Sequence, residues 1–451
     1  MQFLAAPITP EMRNPARLFL ILLFLVGLAG TIITGVDLYV RLAYLGGFLL
    51  AAAWLWTFLS LRRLRLTRQA RSLRASVGDM FEENFDIQNE SRLPRLWIEV
   101  DNRSNLPQAA GSRLLTNIGG KQKRSYLART WLNRRGVYKL GPTTLGSGDP
   151  FGLFSVKRTI SQADSLLVLP LILPIHDFPS PAGYLPGGKA IRRKSLEITP
   201  HAAGVREYVH GDPLKRIHWP TSARRNRLMV KEFEQDPQAE IWLFLDAEAS
   251  IHHELPTPVQ QSGWHDWTLQ RRPQLSMPSE TIEYAVTITA SLAHYFIAQR
   301  RAVGFVTEGP AYTVIPAERS ERQEGKLLET LAFVRPEGRM PLVSLVDSIA
   351  PRIPYGSSAL LVTPSTRQDI LVAVEAVSRR GLSPVVILID PKTFGWHTSN
   401  DSLLESLLTR GVPVCKVSNG DSLVETLSAF AAQNRSQEQP LWRKQLSSRS
   451  I

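Results

Sequence analysis

The stretch Ile241-Trp242-Leu243-Phe244-Leu245-Asp246-Ala247-Glu248-Ala249-Ser250 sets five consecutive apolar residues directly before an acid. A run this short has the length of a strand, and it lacks the alternation of a sheet with one wet face. It predicts a strand buried on both sides, with Asp246 emerging at its carboxyl end.

Downstream of this strand the pattern alternates. Thr281 to Arg301 carries apolar residues at helical spacing (Ile282, Ala285, Val286, Leu292, Phe296), and strand-like Val303 to Thr307 follows. Ala359 to Thr363, Pro384 to Asp390 and Val412 to Val417 read as further strands. The intervening helices, Gln368 to Arg380 and Leu403 to Arg410, each close on a glycine, Gly381 and Gly411. Strands alternating with helices imply a mostly parallel sheet covered on both faces. Ligands of such sheets bind at the carboxyl ends of the strands, where Asp246, Thr363 and Asp390 fall. His252 to Ser279 interrupts the rhythm with a long polar insertion carrying Trp264 and Trp267. Loops of this length are usually functional or disordered, and its position after the first strand predicts that it overhangs the Asp246 edge and makes direct protein contact.

Upstream, residues 204 to 227 concentrate charge and aromatic rings: Gly204, Arg206, Tyr208, Gly211, Asp212, Arg216, Trp219, Ser222 and Arg224. Ser222 with His210 or His218 has the residue types of a hydrolase, but no Gly-x-Ser-x-Gly elbow surrounds Ser222. Arg206, Lys215, Arg216, Arg224, Arg225 and Arg227 beside Tyr208 and Trp219 have the composition of a surface for single-stranded nucleic acid or anionic lipid. Charge distribution argues against nucleic acid. The chain of 451 residues holds 53 Lys plus Arg against 40 Asp plus Glu, a formal charge of +13, and the longest basic run lies elsewhere.

That run follows two apolar segments. Leu18 to Val36 and Leu42 to Leu61 each match the thickness of a hydrocarbon core, and only Asp37 to Arg41 separates them. A two-helix transmembrane hairpin over 17–61 is the natural reading. Arg62, Arg63, Arg65 and Arg68 flank its exit, so the positive-inside rule places both termini and the soluble part in the cytoplasm, with the hairpin in the inner membrane and lipid as one partner. Residues 62–173 then form a basic juxtamembrane segment and a β-rich domain. Short strands at Arg95 to Val100, Lys123 to Trp131, Val137 to Leu140 and Leu166 to Leu169, with turn signals between them, predict a small β-sandwich. Asp149-Pro150-Phe151-Gly152-Leu153-Phe154 reads as a structural turn with an aromatic anchor. Residues 174–203 form a Pro- and Gly-rich linker, mobile in part, and residues 433–451 a disordered basic tail. Cys415 is the only cysteine, which excludes an intrachain disulfide and predicts a buried, inert thiol.

These residues carry a resemblance. Gly204, Arg206 and Tyr208, then Gly211, Asp212, Arg216, Ile217 and Trp219, then Ser222, Ala223 and Arg224 before a strand ending in Asp, resemble the signature of the bacterial domain-of-unknown-function family numbered fifty-eight. The likeness extends to the paired apolar spans and the Pro-Phe-Gly-Leu-Phe turn. It implies a von Willebrand factor type A-like, Rossmann-like α/β domain over 204–432, in a membrane-tethered partner of a MoxR-type AAA+ ATPase; with no catalytic constellation in the residues, the expectation is a non-enzymatic adaptor. It also implies a metal-site pattern, Asp-x-Ser-x-Ser with a later Thr and Asp, which would hold Mg²⁺ for a partner's carboxylate. Here the pattern reads Asp246, Glu248 and Ser250, with Thr363-Pro364-Ser365 at the later edge. A longer, charged residue stands where a compact hydroxyl belongs, so the expectation is a degenerate site without a cofactor, in which Asp246 hydrogen-bonds the strand end.

Overall fold

The computed structural model describes residues 15–161, 164–179, 202–208, 217–233, 240–256 and 277–438. They gather into two compact units, one built mainly on Met1–Leu171 and the other mainly on Ile172–Pro256, Ser279–Leu327 and Val334–Ile451.

The first unit opens on α1 (Pro15–Thr34) and α2 (Asp37–Ser60), both long and apolar enough to cross a membrane. The helices pack closely: a Cβ on Gly27 would stand 2.6 Å from the Ala43 backbone nitrogen. Their connection is Gly35 and Val36, shorter than the Asp37 to Arg41 loop read from the charges. Asp37 instead lies in the first turn of α2, where the helix dipole favours a carboxylate, and Gly35 makes the bend at φ +66°.

Ten strands follow: β1 (Leu64–Ala70), β2 (Arg74–Ser76), β3 (Met80–Asn89), β4 (Arg95–Asn102), β5 (Arg113–Ile118), β6 (Lys123–Trp131), β7 (Gly136–Leu140), β8 (Thr143–Gly148), β9 (Ser155–Ile160) and β10 (Asp164–Leu169). They form three sheets, ordered β1-β3-β6, β5-β4-β8-β9 and β2-β10-β7. The first two share a core that includes Phe85, Ile87, Ile98, Val100, Ile118 and Leu145. Phe81, Leu106, Leu132, Leu140 and Leu166 form a second.

The arginine-rich stretch after α2 is not a free basic flank. It is strand β1, and its period of two turns Leu64 and Arg68 to the same inward face. Arg68 is buried, ion-paired to Glu83 at 3.7 Å and Asp164 at 3.3 Å, and donates to the Leu140 carbonyl at 2.7 Å. Arg62, Arg63 and Arg65 are exposed, as are Arg71 and Arg74 beyond the strand, and Arg65 pairs with Glu90 at 2.8 Å. Two other arginines hold the backbone carbonyls just past α2. Arg95 Nη2 donates to the Arg62 carbonyl at 2.9 Å, and Arg158 donates to those of Leu61, at 3.3 Å, and Leu64. Burial holds both guanidinium groups below their ordinary pKa.

The second unit begins with an antiparallel pair, β11 (Ala202–Glu207) and β12 (Met229–Phe233), joined through α3 (Trp219–Arg225). Then come β13 (Ile241–Leu245), α4 (Thr281–Ala298), β14 (Val303–Glu308), β15 (Tyr312–Glu318), α5 (Glu321–Phe333), α6 (Leu342–Ile349), β16 (Ser358–Thr363), α7 (Asp369–Arg379), β17 (Ser383–Ile389), α8 (Asp401–Thr409), β18 (Val414–Val417) and α9 (Leu423–Glu438). The sheet order is β15-β14-β13-β16-β17-β18, parallel except for β15 at the edge. The chain winds outward from β13 first to one side and then to the other, so the strand order reverses between β13 and β16.

All five residues of β13 are buried, as the uninterrupted apolar run required. On one face Trp242, Phe244, Leu361 and Leu388 pack with Leu345, Val374 and Leu403 of α6, α7 and α8. Gly304 makes room there, since a Cβ would meet the Trp242 ring at 2.8 Å. Helix α4, buried without a break from Thr281 to Ala293, lies against β13, β14, β16 and β17. Among its buried polar residues, Thr289 donates to the Ala285 carbonyl at 2.7 Å and Ser291 to that of Thr287 at 2.7 Å. Gly381 and Gly411, at φ +69° and +71°, close α7 and α8. Cys415 is buried, and burial pushes its thiol up to about 12.

Two expectations change at the margins. The start of the linker is fastened: Phe178 N donates to Tyr295 Oη at 3.1 Å, and the Phe178 ring packs edge-on to Phe296 at 6.0 Å. Residues 180–201 lie outside the described residues. Residues 433–438, expected in the tail, continue α9, consistent with the helix propensity of Gln and Glu, and the rest of the tail also lies outside the described residues.

Candidate functional site

Asp246 directly follows β13, Thr363 ends β16 and Asp390 directly follows β17, so the three residues expected at the carboxyl edge do lie there. Parallel register sets Leu245 beside Val362, which brings the next residues of the two strands together. Thr363 Oγ1 donates to Asp246 Oδ2 at 2.7 Å, and Glu248 N donates to Oδ1 at 3.3 Å. Asp246 is 1 % exposed. Burial pushes its carboxyl up to about 7, against the pull of the Thr363 hydrogen bond. Asp390 belongs to a separate group. Its side chain caps the turn at Lys392 and pairs with Lys416 at 2.8 Å.

Glu248 and Ser250 meet a partner that the motif did not contain. Arg367, in the loop after β16, donates through Nη2 to Glu248 Oε1 and, at 3.0 Å, to Ser250 Oγ. Ser250 Oγ itself donates to Glu248 at 2.5 Å. The carboxylate holds the guanidinium above its ordinary pKa. The signal was present in the sequence as a charge exchange, an extra acid at 248 and a basic residue after Thr363. With the two partners 119 positions apart in sequence, nothing local joined them.

Mg²⁺ at Asp246, Glu248, Ser250 and Thr363 would need those oxygens to face one point. Here Thr363 is committed to Asp246, while Glu248 and Ser250 are committed to Arg367. Those oxygens are thus hydrogen-bonded within the edge, and the guanidinium neutralises the added acid.

Two histidines complete the edge. His252 bridges the Asp246 carbonyl, at 3.0 Å from Nε2, and Thr281 Oγ1, at 2.9 Å from Nδ1. The carbonyl accepts, so Nε2 carries the proton. His253 stacks on Trp396 with ring centroids 3.9 Å apart, and burial holds its pKa below the usual value. A cleft of about 210 Å³ opens between them and the guanidinium, lined by Ser250, His253, Pro364, Thr366, Arg367 and Trp396. The insertion starts from this rim. Leu255 N donates to the Ser279 carbonyl at 2.9 Å and Thr281 N to that of His253 at 3.0 Å, so its two ends are pinned side by side. Residues 257–276, with Trp264 and Trp267, lie outside the described residues.

A family model described as "Protein of unknown function DUF58" matches residues 204–255, the span from β11 through the Asp246 edge to the base of the insertion. Over residues 204–255 the chain is similar to the DUF58 family. An uncharacterized protein of Bacillus subtilis (strain 168), YeaD, is 21% identical over 371 residues, covering 78% of this chain and 83% of its own. Among solved structures, a CARDB domain from Pyrococcus furiosus aligns at a TM-score of 0.17 and 10% identity, covering 23% of this chain and 91% of its own. Proximal thread matrix protein 1 of the mussel byssus aligns at 0.26 and 9% identity, covering 44% and 46%.

Among the described residues, the signature positions are not gathered into one pocket. Gly204 and Arg206 pair through the backbone with Glu232 and Val230, and Tyr208 N donates to the Leu228 carbonyl at 2.8 Å. Gly211, Asp212, Arg216 and His210 lie outside the described residues. Trp219 is 65% exposed, and Arg224 is exposed beside it on α3. Ser222 is buried, and its Oγ donates to the His218 carbonyl at 3.0 Å and accepts from Met229 N at 2.8 Å. The His218 ring turns to Thr221 Oγ1 at 2.7 Å. The hydroxyl thus fastens α3 to β12, and the Ser222–His218 pairing of a hydrolase is not formed.

Proposed function

We propose that this chain is a membrane-anchored, cytoplasm-facing scaffold without catalysis of its own, whose α/β domain is von Willebrand factor type A-like and meets protein partners at the Asp246 edge. Strand order supports the domain reading, because the sheet winds outward from β13 and ends in one antiparallel edge strand. The shared core of the first two β-rich sheets supports a sandwich-like domain beside the hairpin. Arg62 and Arg63 at the exit of α2, against Asp37 and Arg41 at the opposite end of the hairpin, support the cytoplasmic orientation.

The observation that carries the proposal is Arg367. A type A domain offers a metal ion to a partner's carboxylate; here a guanidinium held by Glu248 and Ser250 stands at that edge, beside an open cleft. Contact is then made by protein groups directly, with the guanidinium's remaining N–H donors turned to the partner. The family resemblance names that partner as a MoxR-type AAA+ ATPase.

Full-length protein from solubilised membranes, with nucleotide present, is expected to capture such an ATPase, and Arg367→Glu to lower recovery about tenfold. A wild type that captures none removes the partner. Undiminished capture by both Arg367→Glu and Trp396→Ala moves the contact off this edge. Exposed Trp219 with Arg224 and Arg225 favours a second reading, nucleic-acid or anionic-lipid binding through α3. Its mark would be an affinity that falls steeply with salt.

A further inference from the structure

The turn Asp149-Pro150-Phe151-Gly152-Leu153-Phe154 joins β8 to β9. Asp149, 1 % exposed, accepts at Oδ2 from Phe151 N (2.9 Å) and Leu153 N (3.1 Å), and at Oδ1 from Phe154 N (2.6 Å). Gly152, at φ +69°, donates its N–H to the Asp149 carbonyl at 3.3 Å. Three backbone donors on one buried carboxylate fix the loop's shape, so whatever the turn presents it presents rigidly. It presents Phe151, 60% exposed, while Leu153 turns into the core.

The turn lies beside the end of the apolar hairpin. Thr57 Oγ1 is 3.5 Å from the Phe154 carbonyl, the Arg17 guanidinium is 5.8 Å from the Phe154 ring centroid, and α2 packs along β8 and β9. At roughly 1.5 Å per residue, Thr57 is one helical turn short of the end of α2 at Ser60, and Trp54 is one turn further in. This level carries the residues that settle in a headgroup layer: Trp54 and Trp56, both exposed, and Arg62 with its guanidinium 4.5 Å from the Phe58 ring. The exposed apolar surface of the helices continues to the same level through Leu18, Phe19 and Leu55. An aromatic ring held outward here is continuous with a lipid-facing surface.

We propose that the 149–154 turn is a third membrane contact, which seats Phe151 in the interfacial layer of the bilayer that holds the hairpin. The proposal rests on the reading of α1 and α2 as membrane-spanning. Its chemical partner is phospholipid at the boundary between headgroups and acyl chains.

The test uses the full chain with Cys415→Ser in lipid nanodiscs, and single cysteines introduced as Phe151→Cys, Trp54→Cys or Arg103→Cys, each carrying an environment-sensitive fluorophore. Arg103 follows the far end of β4, whose near end at Arg95 grips the exit of α2. Lipids spin-labelled high on the acyl chain are the quencher. The probes at Phe151 and Trp54 are expected to lose about half their emission, as groups seated 5–10 Å into the interface would, and the probe at Arg103 to lose none. Quenching at Trp54 without quenching at Phe151 overturns the proposal and leaves the hairpin reading standing. Quenching at neither removes both, and equal quenching at Phe151 and Arg103 also overturns it.

Discussion

Thr363 Oγ1 and Asp246 Oδ2, 2.7 Å apart, join the carboxyl ends of two neighbouring parallel strands through one buried hydrogen bond. The carboxyl titrates at about 7 in the folded chain, against an ordinary 3.8. A group raised on folding favours the folded state while protonated, so its contribution is complete below about pH 4 and is lost as pH rises through about 7. The span corresponds to about 4 kcal/mol at 1.36 kcal/mol per unit. Asp246→Asn is expected to unfold later than wild type at about pH 8, with the difference closing toward about pH 4. Equal pH profiles for the two proteins in thermal melts would contradict the raised carboxyl.

Arg367→Ala leaves Glu248 without its cation. Because the guanidinium is partly exposed, the loss of stability is expected to be modest, about 0.5–1 kcal/mol. The variant also frees Glu248 and Ser250 as oxygen ligands near Asp246. Millimolar Mg²⁺ is then expected to raise its melting temperature and to leave that of wild type unchanged. A rise of equal size in both proteins would show that the arginine does not occupy the site.

The Asp246 edge was legible because a buried parallel strand announces itself by an unbroken apolar run, and residues at its end inherit their position from it. Thr363 and Asp390 followed for the same reason. Arg367 was not legible, since its role is defined by Glu248, 119 positions away in sequence. Strand β1 was hidden differently. Arg65 and Arg68 read as a basic flank by composition, and only the burial of Leu64 and Arg68 on one face reveals the period of two. Helices α7 and α8 were visible from their closing glycines, whose positive φ no β-branched residue adopts without strain.

Arg95→Ala and Arg158→Ala each strip a donor from carbonyls just past α2. A buried carbonyl left unpaired costs about 1–3 kcal/mol, so each variant is expected to melt several degrees below wild type in detergent. Arg103→Ala removes only an exposed pair with Asp101 and serves as the control, with a change within about 0.5 kcal/mol. Equal melting of all three variants would mean that the two buried arginines do not hold the junction.

Ser222→Ala removes the hydroxyl that ties α3 to β12. A loss of about 1–2 kcal/mol is expected, because the Met229 N–H loses its hydroxyl acceptor while the His218 carbonyl keeps the Ser222 N–H. Wild type is expected to form no adduct with a fluorophosphonate probe. A covalent adduct on Ser222 would restore the hydrolase reading.

Replacing residues 257–276 with a short Gly-Ser linker is expected to preserve the melting temperature, because the ends of the insertion are already pinned by the His253–Thr281 and Leu255–Ser279 backbone bonds. Capture of the partner ATPase is expected to fall. Undiminished capture would remove the insertion from the contact surface.

The grip of Arg95 and Arg158 on the exit of α2 leaves no swivel between the helical pair and the first strand. If the helices tilt to match a thinner or thicker lipid layer, β1 must tilt with them, and the sheets built on it follow. In a bilayer the β-rich unit would then act as a lever whose short arm is the hairpin.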